Sequence, residues 1–170
     1  AVITFRNLHN WLGPQMDSIF ANSYKALKPG GIFGVVEHRA NPGTSIDAMK
    51  KSGYVTEEHA IMVAKKHGFT LVATSEINAN TKDTKNHPKG VWTLPPNLRL
   101  KDAEREKYIA IGESDRMTLL FQKWYKVFRS IKSDQKICSY YSFSCNYFFY
   151  ISFIFVAIHF RQKHESGYRA

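Results

Sequence analysis

Cysteine is almost missing from this chain: there are two, Cys138 and Cys145, both in its last third. Two are too few for a disulfide framework, and they lack the paired spacing of a zinc site. The histidines His38, His59, His67 and His87 are scattered, with no HExxH pattern, so no metal centre is expected. Neither a G-x-S-x-G elbow nor a phosphate loop occurs, and no internal repeat is visible. Acids are few, 14 against 24 Lys+Arg, for a formal charge of +10. The excess forms no stripe. Lys50-Lys51, Lys65-Lys66 and Lys82/Lys85/Lys89 stand apart with acids between them, which reads as a solvated basic surface and not a nucleic-acid footprint. The sequence opens Ala1-Val2-Ile3 without Met or a charged-then-apolar leader. It is therefore expected to be a fragment cut inside a strand, with the cytoplasm as default compartment.

What is present is an alternation of strand-like and helical runs. Residues 1–5 (AVITF) are apolar and β-branched, a buried strand stopped by Arg6-Asn7. After Gly13-Pro14, apolar residues at Met16, Ile19, Phe20, Tyr24 and Leu27 share one face of a helix over 15–28. Lys28-Pro29-Gly30-Gly31 ends it, and residues 32–36 (IFGVV) form a second strand. Residues 40–53 read as a loop. Thr56 caps a helix that closes at Lys65-Lys66-His67-Gly68, and residues 69–77 form a third strand. Residues 78–114 are polar, with Pro88, Pro95 and Pro96 and a short helix near 101–108. Residues 116–121 (RMTLLF) form the last strand. Strand–helix–strand order requires crossovers, hence an α/β fold with a mostly parallel sheet and helices on both faces.

After Trp124 the composition changes. Residues 1–124 carry 17 Lys+Arg and 12 acids, residues 125–170 carry 7 and 2. Residues 137–160 are rich in Tyr, Phe, Ile and Ser without charge, Gly or Pro, long enough to span a membrane and flanked by basic residues. Their serines and mid-segment tyrosines weigh against a span, and the favoured reading is read-through at a broken gene. Residues 125–170 are not expected to pack into the core of 1–124.

In an open parallel sheet, ligands bind at the carboxyl ends of the strands. The first strand delivers Arg6, Asn7 and His9 there, with Trp11 next. The second delivers Glu37, His38 and Arg39, and the third Glu76, Asn78 and Asn80. Glu113, Ser114, Asp115 and Arg116 precede the last strand. Together they suggest a cleft with acids, bases and an aromatic wall. Each has a plainer reading: Glu37 and Arg39 pairing with neighbours, His38 a satisfied histidine, residues 113–116 a strand cap with an internal ion pair.

The run Ala26-Leu27-Lys28-Pro29-Gly30-Gly31 plus apolar strand resembles the turn before strand five of class I S-adenosylmethionine-dependent methyltransferases. VITFRNLHNWL resembles strand four and its active-site loop. The helix and strand around Gly68-Phe69 resemble the next unit, and residues 116–121 the antiparallel seventh strand. EHRA, SEINANTKDTKNHPKGVWTLPP and YIAIGESDRMTLLF resemble, more narrowly, a family of bacterial predicted methyltransferases of unestablished substrate. The likeness covers residues 1 to about 124.

It implies a partial Rossmann-like methyltransferase fold, with an antiparallel last strand seated between strands 32–36 and 69–77. It also implies S-adenosylmethionine as methyl donor and a small-molecule acceptor. On that basis His9 is the catalytic base and Asn7 orients, with Glu37 or Asp115 able to substitute as the catalytic base. Arg6, Asn7 and Leu8 meet the methionine end of the cofactor. Trp11, His38, Arg39, Glu76, Asn78, Asp115 and Arg116 surround the acceptor. The chain departs from the family in one respect: the glycine-rich loop after strand one and the ribose-binding acid after strand two are missing, since Gly30-Gly31 belongs to a later turn. Strands one to three would precede Ala1, and the chain is expected to be inactive alone. A reading from another class is a non-catalytic α/β interaction module anchored to a membrane through 137–160. No oligomeric state is signalled.

Overall fold

Alternating strands and helices build one mixed sheet in the computed structural model, which describes residues 1–124. The membrane-span and read-through readings concern residues outside that range. In chain order come β1 (Val2–Phe5), α1 (Leu8–Trp11), α2 (Pro14–Ala26), β2 (Ile32–His38), α3 (Ile46–Ser52) and α4 (Glu57–Lys66). They are followed by β3 (Phe69–Ser75), a 3₁₀ turn (Gly90–Thr93), α5 (Arg105–Ile111) and β4 (Arg116–Lys123). No helix of the described residues is long and apolar enough to cross a membrane.

The sheet order is β1-β2-β4-β3. β1 and β2 pair in parallel, and β4 runs antiparallel to both β2 and β3. The last strand is thus seated where the sequence placed it. β2 outruns its apolar core: Glu37 pairs with Met117 and His38 with Arg116, because a ladder needs only backbone groups. The Lys28-Pro29-Gly30-Gly31 turn docks on the far end of β4. Gly30 donates its N–H to the Lys123 carbonyl, and Lys123 donates to that of Gly31. Lys123 Nζ then caps α2 by donating to the Tyr24 and Leu27 carbonyls at 2.6 and 2.8 Å.

Two helices appear where a loop was expected. α3 has the full set of local signals: Ser45 Oγ accepts from Ala48 N–H, Asp47 sits in the first turn, Lys50-Lys51 in the last, and Gly53 closes it at φ 76°. α1 is one turn long, too short for periodicity to show.

The core lies against one face of the sheet. Phe33 and Val35 of β2 stand beside Phe121 and Leu119 of β4. Onto them pack Leu8 of α1, Met16 and Phe20 of α2, Met49 of α3, and Ala60, Val63 and Ala64 of α4. Phe20 meets Phe33 edge-on at 4.9 Å between ring centroids, worth about 1 kcal/mol beyond the area buried. Helices α1 to α4 therefore serve this one face, while Val36 and Leu120 on the opposite face are buried as well. The register then sets the site. Arg6 N–H donates to the Val36 carbonyl at 2.7 Å, and Arg116 begins β4 opposite His38. Parallel β1–β2 and antiparallel β4 bring Arg6, His38 and Arg116 to one end of the sheet.

Candidate functional site

At that end opens a cleft of ≈ 370 Å³, whose polar lining is Arg6, His9, His38, Asn97, Ser114 and Arg116. Its apolar wall is Phe5, Val91, Trp92, Pro95 and Pro96. Arg6 turns the chain out of β1 at φ 53°, a left-handed conformation costing a non-glycine residue about 1–2 kcal/mol. The bond from its N–H to β2 holds it there.

Glu37 organises the entry to α1. Its side chain is fully buried, and everything that reaches it donates a proton. Leu8 N–H lies at 2.5 Å and His9 N–H at 3.4 Å from Oε2, while His38 N–H lies at 2.9 Å and His9 Nδ1 at 3.0 Å from Oε1. A carboxylate that only accepts makes Nδ1 the donor of His9. Nε2 is left as an acceptor at the cleft, with no hydrogen bond among the described residues. Glu37 itself does not line the cleft, so its expected catalytic role becomes a positioning one.

His38 also faces the cleft, its ring centroid 5.3 Å from that of His9. Its Nδ1 shares a 2.5 Å hydrogen bond with Ser114 Oγ. Burial, reinforced by repulsion from His9 when that ring is protonated and from the Arg116 and Arg6 guanidiniums, pushes its pKa down to about 3, so the ring is neutral at ordinary pH. His9, Glu37 and His38 bring potential metal-ligand atoms within 4.8 Å of one another. Both Nδ1 atoms and the carboxylate are committed to hydrogen bonds, and two guanidinium groups share the cleft, which makes a poor seat for a cation.

The other expected site residues lie elsewhere. Arg39 binds Asp115 through Nε and Nη2, Glu76 through Nη1 and Nη2, and Glu57 through Nη1. Burial pushes the Asp115 pKa up, but hydrogen bonds from Arg39, Lys85 and Asn80 N–H outweigh it and hold the value at about 2. Arg39, Glu76 and Asp115 thus form an ion network beside the cleft, not its lining. Asn78 is buried, donating to Thr118 Oγ1 at 2.8 Å. Trp11 packs on the core. Leu8 is a core side chain whose N–H is taken by Glu37, and Asn7 is exposed and makes no side-chain cap bond. Of the expected residues, the structure brings Arg6, His9, His38 and Arg116 together. Arg116 also pairs with Glu113, as the plainer reading of 113–116 held.

Sequence reasoning missed Trp92, Pro95 and Pro96. The signal was a bulky aromatic followed by Pro-Pro inside a polar stretch. What puts Trp92 at the cleft is distant: buried Asp83 accepts from Tyr54 Oη, Lys85 N–H and Asp115 N–H and pairs with His87, pinning the segment that leads to the 3₁₀ turn.

No family model matches the chain, and no curated protein matches it. Among solved structures it is similar to the [4+2]-cyclase SpnF, at 15% identity and a TM-score of 0.41, over 72% of this chain and 48% of that one. The chain spans about half the length of that protein, and a likeness of this strength carries no argument about activity.

Proposed function

We propose that this chain supplies the acceptor side of an S-adenosylmethionine-dependent methyl transfer to a small molecule. The observation that carries it is the His9–Glu37 pair. A buried carboxylate fixes one imidazole nitrogen and leaves the other, an acceptor in the neutral ring, for a cleft at the carboxyl ends of β1 and β2. Such a nitrogen takes the proton from an acceptor hydroxyl or amine as it attacks. The motif resemblance supports methyl as the transferred group. So does the antiparallel β4 between β2 and β3.

The cofactor itself does not fit what lines the cleft. Its ribose requires a carboxylate and its nucleoside a glycine-bearing backbone, and among the described residues neither an acid nor a glycine lines the cleft.

Calorimetric titration of the chain with S-adenosylmethionine should show no measurable binding, and micromolar binding would overturn this division of labour. The coding sequence upstream of Ala1 should encode a strand and a glycine-rich loop. A start codon there without them would favour the non-catalytic module. In the longer chain His9→Ala should lower methyl transfer from a tritiated donor by about 10²–10⁴-fold.

A further inference from the structure

We propose that the cleft selects an anionic acceptor: a carboxylate or phosphate group on a planar apolar body, the anion held by Arg6 and Arg116 and the body lying along Trp92, Pro95 and Pro96. This names the acceptor class for the site assigned above and rests on that assignment.

Charge is the first ground. Among the described residues, the lining includes two arginines and two histidines and no Asp or Glu. The carboxylates at this end of the sheet are turned away: Glu37 beneath α1, Asp115 and Glu76 into the Arg39 network. Glu113, which pairs with Arg116, is 41% exposed, so water screens much of its charge.

Arg116 is the second ground. It is 8% exposed, yet it lines the cleft. One nitrogen, Nη1, meets Glu113, while Nε is buried with no hydrogen-bond partner. A guanidinium offers five donors in a planar fork that matches carboxylate and phosphate oxygens. Arg6 and Arg116 both line this one cleft, as does His38. The third ground is the wall, an indole with two prolines, which offers flat apolar surface next to that charge.

A cation at His9 and His38 is the competing occupant. It would face both guanidiniums, and the carboxylate that might offset them is already saturated with donors. The anion is favoured on charge and on hydrogen-bond supply alike.

The test is calorimetric titration of the full chain with benzoate, phenyl phosphate and benzamide, three probes of one planar body with different head groups. Saturable binding is expected for at least one acid, with benzamide weaker by about tenfold or more. The acid that binds more tightly identifies the head group. Arg116→Gln should weaken the acid by about tenfold or more and leave benzamide unchanged. Because Arg116 begins β4, Arg6→Gln provides the same comparison if the first variant does not fold. Absence of saturable binding by either acid, benzamide binding as tightly as benzoate, or Zn²⁺ displacing a bound acid would each overturn the inference. No methyl donor is used, so a failure of the methyl-transfer reading leaves this result standing. Methyl transfer to neutral acceptors that Arg116→Gln leaves intact would overturn the anion alone.

Discussion

His9 and Glu37 are joined by a 3.0 Å hydrogen bond between an imidazole at the cleft and a carboxylate with no exposure at all. The carboxylate serves the fold and the imidazole serves the site, so the two should separate on mutation. Glu37→Gln replaces one acceptor by a donor facing other donors. It should cost about 3 kcal/mol of stability. His9→Ala leaves the three backbone donors in place and should cost about 1 kcal/mol. Urea denaturation of both variants checks this, and equal losses would mean that Glu37 does not anchor α1.

The Arg39 network should be unequal. Glu76 is 66% exposed, so its pairing is screened, and Glu76→Gln should change stability by less than about 0.5 kcal/mol. Asp115 is 5% exposed and accepts from Arg39 and Asn80 N–H while pairing with Lys85. Asp115→Asn should cost about 2 kcal/mol. Thermal melts of the two variants side by side decide the order.

Two groups should make the protein acid-labile. The Asp115 carboxyl is held at about 2, below its ordinary 3.8, so the stability it adds is present above pH 3.8 and is lost as pH falls toward 2. His38 is held at about 3, below 6.5; between those values the unfolded chain takes up a proton that the folded chain refuses, and stability falls as pH falls. His38→Asn should flatten the stability profile in the upper part of that window and keep the decline below pH 3.8. An unchanged profile in the variant would show that His38 titrates normally.

Gly90 is where the 3₁₀ turn touches α3. Its φ is 57°, and an added Cβ would lie 2.0 Å from the Ser52 carbonyl oxygen. Gly90→Ala must push the turn away from the end of α3 and should cost about 3 kcal/mol. Trp92 rides on that turn, so its fluorescence should shift as well. Comparing Gly90→Ala in a Trp92→Phe background isolates that signal from Trp11 and Trp124.

Much of the fold was legible because its elements announce themselves locally. Thr56 with Glu57-Glu58 marked the start of α4, and Lys28-Pro29-Gly30-Gly31 the end of α2. Each rests on capping or turn chemistry within a few residues. The site was half legible. Strand-end position singled out Arg6, His9, His38 and Arg116, but it singled out Glu76, Asn78 and Asp115 equally.

By itself, then, the sequence determined the four strands and the helices other than α1 and α3, and which polar residues crowd one end of the sheet. The tertiary structure decided which of those residues face the cleft. Burial of Glu37 depends on donors from Leu8 and His9, nearly thirty positions away, and withdrawal of Asp115 depends on Arg39, 76 positions away. Periodicity records which side of an element is buried, not what the opposite element will present to it. Only register and crossing order bring those partners within hydrogen-bond reach.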